Sequence, residues 1–207
     1  MVGAWSLPEA QGVGKMNTRI GLGISALAIV ALAAPQASAQ GAVTVFGGGL
    51  GQACYEAVEF GDGAVGRALD LCTRALETET MKRRDRAATY TNRGILFMRQ
   101  GNNTRAMWDY QRGLDLMPDL QETKVNLGAA LYNLKRYPEA MAALNEGIGT
   151  DDIEAKAIAH YNRGLTYEKL GNIQLAYEDF REALILKPDF ELAATQMQRF
   201  TVVPVGS

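Results

Sequence analysis

The stretch TNRGILF (residues 91–97) recurs in altered form as KVNLGAAL (residues 124–131) and YNRGLTY (residues 161–167). The three stretches share one glycine, which stands at Gly94, Gly128 and Gly164. The first two glycines are 34 residues apart, and the last two are 36 residues apart. Self-similarity at a spacing of this size indicates an architecture that is built from stacked copies of one supersecondary unit.

Further positions agree in register with each glycine. An alanine follows twelve residues later, a bulky residue four after that, and a small residue three later still. These positions are Ala106, Ala140 and Ala176, then Tyr110, Leu144 and Phe180, then Gly113, Gly147 and Ala183. The pattern resembles the tetratricopeptide repeat (TPR), a pair of antiparallel helices about 34 residues long. The resemblance implies an all-α, right-handed helix-turn-helix solenoid.

The organisation of the chain follows from these positions. The predicted boundaries are 87–120, 121–156 and 157–190 for three repeats, 52–86 for a degenerate capping unit, and 191–207 for a capping helix and tail. The degenerate unit keeps the spacing at Ala68, Cys72 and Ala75, but Glu56 stands where the repeats have glycine. Stacked units bury apolar faces that a single helix pair leaves exposed, so terminal caps are expected.

The N-terminal region has a different composition. Residues 16–39 contain a positive start, an apolar run of 15 residues and a small-residue cleavage site, which is the pattern of a secretory signal peptide. We expect cleavage after Ala39 and a periplasmic or secreted protein with no membrane span. Residues 1–15 are then interpreted as a misassigned extension, and the glycine-rich residues 40–51 as a flexible leader. An uncleaved anchor is the alternative, although a membrane span needs about 20 apolar residues.

The two cysteines lie in the degenerate unit. Cys54 falls on its short first helix, and Cys72 falls on the inner face of its second helix. Antiparallel helices joined by a short turn bring such positions together. An even number of cysteines in an exported protein therefore predicts a Cys54–Cys72 disulfide. Two buried free thiols are the alternative.

An asparagine stands two residues before each repeat glycine, at Asn92, Asn126 and Asn162. In TPR proteins the first helix of each unit forms the concave wall, so the resemblance implies that these amides project into a groove. A carboxamide has both a donor and an acceptor, which suits a peptide backbone. The expected neighbouring contacts are Met98, Arg99, Tyr132, Tyr161, Leu165 and Lys169. The alternative is that the asparagines only join neighbouring helices.

One TPR group, that of chaperones and cochaperones, grips a terminal carboxylate with lysine, arginine and asparagine side chains. Asn126 matches that clamp. The positions of its Lys, Asn, Lys and Arg are here Thr91, Ile95, Ile158 and Asn162. We therefore do not expect this chain to capture a carboxylate by that clamp.

Composition favours a binding module. A net charge of −2 gives no argument for nucleic-acid binding, and the one histidine, His160, is interpreted as a packing residue. The sequence contains no recognisable set of catalytic residues, no group of residues with metal-ligand spacing and no cofactor motif, so an enzyme is the least favoured class. The sequence predicts an exported module that binds a peptide or protein segment, as an adaptor or scaffold of an envelope assembly. A structural spacer or self-assembling scaffold is the alternative.

Overall fold

The computed structural model describes residues 4–6, 41–61 and 64–203. The predicted signal peptide, most of the predicted extension and residues 204–207 lie outside the described residues. The described residues form nine helices and two short strands. In chain order these are β1 (Ala4–Ser6), α1 (Gly49–Glu59), α2 (Val65–Thr78), α3 (Arg83–Arg99), α4 (Asn103–Leu116), α5 (Gln121–Asn133), α6 (Tyr137–Gly147), α7 (Ile153–Lys169), α8 (Ile173–Leu186), α9 (Glu191–Met197) and β2 (Thr201–Val203).

The helices pack in consecutive pairs, α1 with α2, α3 with α4, α5 with α6 and α7 with α8. The repeat glycines lie where the helices of a pair are closest. A Cβ atom on Gly94 would lie 2.5 Å from the Tyr110 ring, and one on Gly164 would lie 2.8 Å from the Phe180 ring. The bulky residue of each second helix therefore packs on the bare backbone of the first. The predicted all-α solenoid of helix pairs is confirmed.

The turns inside the units use the left-handed backbone conformation. Gly101 (φ 73°) ends the first helix of the first repeat, and Gly171 (φ 81°) does the same in the third. Lys135 takes this place in the middle repeat, with φ 61°. Glycine adopts this conformation without the clash that a Cβ atom introduces. The middle turn is therefore the strained one of the three.

The C-terminal end of the array is closed by a short helix and a strand. At the C-terminal end, α9 buries Ala193 against the last pair, and Phe190 before it is also buried. Beyond α9, β2 pairs antiparallel with β1, with Trp5 opposite Val202. Part of the predicted tail is therefore a strand, and cleavage after Ala39 would remove its partner.

The predicted flexible leader differs most from the structure. Residues 41–48 precede α1, and their burial alternates, with Val43 and Val45 buried and Thr44 and Phe46 exposed. Such alternation is typical of an extended segment that lies with one face against the protein. We call residues 41–48 the strap. In the part of the chain that the structure describes, no helix is long and apolar enough to cross a membrane.

Candidate functional site

The first helices of the pairs form one continuous wall. Contacts join α1 to α3, α3 to α5 and α5 to α7, whereas the second helices chiefly contact the first helices. The layer in which successive helices touch is the inner side of a curved stack. We call this layer, α1, α3, α5 and α7, the inner wall.

The three predicted asparagines hold one position on three successive helices of this wall. Asn92 lies on α3, Asn126 on α5 and Asn162 on α7, and each is completely buried. A carboxamide removed from water needs hydrogen-bond partners. The inner wall therefore carries a buried amide at the same position of three successive helices.

The Asn92 side chain forms hydrogen bonds with the backbone of the strap. Its Oδ1 accepts a hydrogen bond from the Val43 N–H at 2.7 Å, and its Nδ2 donates one to the Val43 carbonyl at 2.8 Å. Both bonds are buried and join residues 49 positions apart in sequence. One side chain thus satisfies both polar backbone groups of one extended residue.

A second polar contact fixes the other end of the strap on α3. The Phe46 N–H donates to Asp85 Oδ1 at 3.0 Å. Between the two anchors, Val43 and Val45 pack with Ala88 and Tyr55. The exposed Phe46 ring lies 4.1 Å from the Arg84 guanidinium, an arrangement that favours a cation–π contact. Backbone bonds and two apolar side chains therefore hold the strap.

Three of the other predicted binding residues are buried in the core. Tyr132, Tyr161 and Leu165 belong to the hydrophobic core, and Tyr161 packs between the rings of Phe180 and Phe190 at 5.9 and 5.2 Å. Burial raises the pKa of Tyr161 to about 12, so its hydroxyl stays protonated at neutral pH.

The remaining three predicted residues lie at the C-terminal ends of their helices. Met98 is half-buried, and Lys169 is exposed at the end of α7. Arg99 donates from Nη1 to the Val58 carbonyl at 2.9 Å, which joins α3 to the capping pair. Arg99 is therefore tied to the fold of this chain.

Sequence reasoning missed a pair of ionic contacts between the helices of two repeats. Arg93 forms a bidentate contact with Asp109, at 2.7 and 2.8 Å. Arg163 forms the same contact with Asp179, at 2.8 Å for both bonds. The signal was an arginine directly before the repeat glycine and an aspartate 16 residues later, and it occurs only in the first and third repeats.

His160 differs from its interpretation as a packing residue. Its Nδ1 lies 2.9 Å from Asp179 Oδ1, so it shares the carboxylate with Arg163. Burial disfavours the charged form of Asp179. The hydrogen bonds from Arg163 and His160 outweigh this effect, and the pKa of Asp179 lies below its usual value.

The middle repeat has Leu127 and Ala143 where the other two have arginine and aspartate. These residues line a groove of about 600 Å³ that is formed by α4, α5 and α6. Leu131 forms part of its floor, and Asp115, Glu139 and Glu146 are exposed at its rim. The middle repeat therefore has a surface groove at the place where it lacks the Arg–Asp pair.

The two predicted disulfide partners lie side by side in the capping pair. Cys54 on α1 and Cys72 on α2 are buried, their Cα atoms are 4.7 Å apart, and the structure joins them. The bond ties the helix that follows the strap to its partner helix. Among residues 41–61 and 64–200, no group of side chains is arranged to hold a metal ion.

Known proteins resemble this chain in repeat and in fold. Residues 157–190, which cover most of α7 and all of α8, match the family model of the tetratricopeptide repeat. A DnaJ homolog subfamily C member 7 homolog from Schizosaccharomyces pombe is 37% identical over 71 residues, 34% of this chain and 15% of that protein. Tetratricopeptide repeat protein 16 from Homo sapiens is 26% identical over 147 residues, 65% of this chain and 16% of that protein. The chain thus spans less than a fifth of these curated relatives.

Solved structures share the architecture. MamA has a TM-score of 0.58 and 20% identity, over 73% of this chain and 82% of that chain. YrrB, a TPR protein with an unusual peptide-binding site, has a TM-score of 0.58 and 23% identity, over 72% and 74%. The first TPR of Spaghetti, bound to an HSP90 peptide, has a TM-score of 0.51 and 22% identity, over 56% and 90%. Together with the repeat match at residues 157–190, and with the same glycine, alanine and bulky positions in two further pairs, this likeness shows that the helix pairs of the chain adopt the tetratricopeptide-repeat fold.

Proposed function

We propose that this chain is an exported protein–protein interaction module that binds an extended segment of a partner along its inner wall. In this role it acts as an adaptor or scaffold of an envelope assembly. The TPR fold supports the general class. The contact between Asn92 and Val43 supports the mode of binding.

That contact is the observation that carries the proposal. Asn92 makes paired hydrogen bonds to the N–H and carbonyl of one extended residue, at 2.7 and 2.8 Å. The bound residue contributes only backbone atoms to these bonds, so any residue except proline can take its place. The wall thus binds a strand-like segment in cis, and a segment of another protein offers the same groups.

Two solved structures of the same fold support peptide binding as the class of function. The Spaghetti TPR is bound to an HSP90 peptide, and YrrB has a peptide-binding site. Asn126 and Asn162 repeat the position of Asn92 on the next two helices of the wall. All three amides are buried in the folded chain, so a partner segment must exchange with contacts that the chain makes itself.

Export of the chain is part of the proposal. The signal-peptide pattern at 16–39 supports it, and so does the Cys54–Cys72 pair, because disulfides persist in oxidising compartments. Cleavage after Ala39 would leave the strap at the start of the mature protein. N-terminal sequencing of the exported protein should find Gln40, and thiol titration after denaturation should find no free thiol. A cell-retained protein that begins at Met1 or Met16 contradicts export.

The binding proposal is tested by changing the wall while leaving the strap site intact. The variant carries Asn126→Ala and Asn162→Ala, and its control is Gln111→Ala on the exposed face of α4. Both proteins are made in the source cell and cross-linked to their partners, which are then identified by mass spectrometry. We expect the double variant to lose partners that the control retains.

The alternative, a structural spacer without a groove ligand, gives a different result. If the double variant is folded by circular dichroism and recovers the same partners in the same yield, the inner wall is not the binding site. The asparagines would then serve only the internal contacts of the array.

A further inference from the structure

We infer that the strap is an exchangeable occupant of the first position of the inner wall, and that its own sequence shows which partner segment this position accepts. The inference rests on the proposed function and names its ligand. That ligand is an extended stretch with two β-branched apolar residues separated by one residue, the second of which is followed directly by an aromatic residue. In the strap these are Val43, Val45 and Phe46.

The spacing of the two anchors fits an extended chain. Asp85 and Asn92 are seven residues apart on α3, which is roughly 10 Å at 1.5 Å per residue. Val43 and Phe46 are three residues apart, which is also roughly 10 Å at 3.3 Å per residue. The strap therefore runs antiparallel to α3, and both anchors are met without distortion of either segment.

The surface between the anchors selects small apolar side chains. Ala88 lies on the same face of α3 as Asp85 and Asn92, because the three are spaced as i, i+3 and i+7. Its methyl group lets the strap lie close to the helix, so Val43 and Val45 are only 9% and 3% exposed. A charged side chain at either place would be buried without a partner.

Only the first repeat combines these three residues. The second repeat has Glu122 at the place of Ala88, and the third has Ile158 there and Ala155 at the place of Asp85. The strap pattern is therefore matched to α3. The aromatic residue adds selectivity, because Arg84 lies 4.1 Å from the Phe46 ring.

The strap is attached in a way that permits exchange. Residues 46–48 are exposed, and Gly47, Gly48 and Gly49 connect the strap to α1. A tether of this kind gives a bound segment an effective concentration on the order of millimolar. An external segment must compete with that concentration, so wild-type protein should bind it weakly and a protein with a weakened strap should bind it well.

The test uses the full chain and a fluorescein-labelled peptide of residues 41–48, GAVTVFGG. Val43→Asp and Val45→Asp are combined to weaken the strap without changing α3. We expect fluorescence anisotropy to show affinity at least about tenfold higher for this variant than for wild type. Adding Asn92→Ala should abolish the gain, and a peptide with aspartate at both valine positions should not bind.

A second protein keeps the test decisive if the aspartates unfold the chain. A protease site is inserted between Gly48 and Gly49, and the strap is cut in the folded protein. We expect the cut strap to be lost in gel filtration and replaced by the labelled peptide. A strap that stays bound, or binding that Asn92→Ala leaves unchanged, overturns the inference. The peptide assay needs no cellular partner, so its failure is distinct from failure of the cross-linking experiment.

Discussion

The three repeats have the same helix-pair backbone. The middle repeat differs from the first and third in the side chains that join its helices to each other and to the preceding unit. In the first and third repeats, arginine joins its own second helix to that of the preceding unit. Arg93 contacts Asp109 and reaches Thr73, and Arg163 contacts Asp179 and Asn145. The middle repeat has Leu127 and Ala143 at these places. The comparison shows that the glycine, alanine and bulky positions specify the helix pair, whereas this junction tolerates either an ion pair or apolar contact.

The largest expected effect is the loss of one partner of the ionic junction. Asp179→Ala leaves the Arg163 and His160 side chains, 21% and 13% exposed, without their carboxylate. We expect the free energy of unfolding to fall by about 3 kcal/mol, because an uncompensated charge remains partly buried. Urea denaturation followed by circular dichroism measures this change.

The control for this experiment lies in the middle repeat. Glu146→Ala removes the more exposed Lys124–Glu146 contact and should cost less than about 1 kcal/mol. Equal losses in the two variants would show that the junction in the third repeat contributes no more than a surface pair.

A smaller effect is expected when the Arg–Asp pair of the first and third repeats is introduced into the middle repeat. Leu127→Arg and Ala143→Asp place the same residue types at the same register. Each single substitution should destabilise the protein, because it adds a charge without its partner. The pair should recover about 1–2 kcal/mol in a double-mutant cycle. Strict additivity would mean that the helix spacing of the middle repeat does not allow the contact.

The turn of the middle repeat offers a stabilising change. Lys135 has φ 61°, whereas Gly101 and Gly171 take this place in its neighbours. Lys135→Gly should raise the free energy of unfolding by about 1 kcal/mol, since it removes the steric cost of a left-handed side chain. Gly171→Ala should lower it by a similar amount. Thermal unfolding of both variants checks the signs, and a loss of stability in Lys135→Gly would contradict the argument.

The smallest expected effect is a change in pH dependence. The pKa of Asp179 is lower in the folded chain than its usual 3.8, so its ionised form stabilises the fold. This contribution is complete above the unfolded pKa and is lost as the pH falls through the folded pKa. The stability difference between wild type and Asp179→Asn should therefore shrink as the pH falls below about 5. A constant difference would show that Asp179 is not the group responsible.

The fold was predictable because its determinants recur in register. Gly94, Gly128 and Gly164 could be aligned without any structure, and the helix pairs follow from them. The ionic junction was harder to recognise, because Leu127 interrupts the arginine series and agreement across three copies is lost. Asn92 was predicted to contact a peptide backbone, yet its partner in the structure is Val43 of the same chain.

The strap could not be predicted from local sequence. Its run of glycines indicates flexibility, and the residues that hold it lie on α3, far along the chain. Tyr161 and Leu165 were predicted to contact a ligand, and local sequence did not show that their side chains are buried. Both side chains belong to the hydrophobic core, and Tyr161 packs against Phe180 and Phe190, which tertiary contacts bring to that place.

The 49-residue separation between Val43 and Asn92 has a consequence for the order in which the protein assembles. A chain is made from its N-terminus, so the strap emerges well before the helix on which it docks. During that interval the segment AVTVF, apolar and rich in β-branched residues, has no surface to cover it and resembles the short stretches that self-associate. The glycines on its C-terminal side weaken that tendency, since they disfavour strand formation. Completion of α3 therefore marks the point in biosynthesis at which this apolar segment first has a surface to cover it.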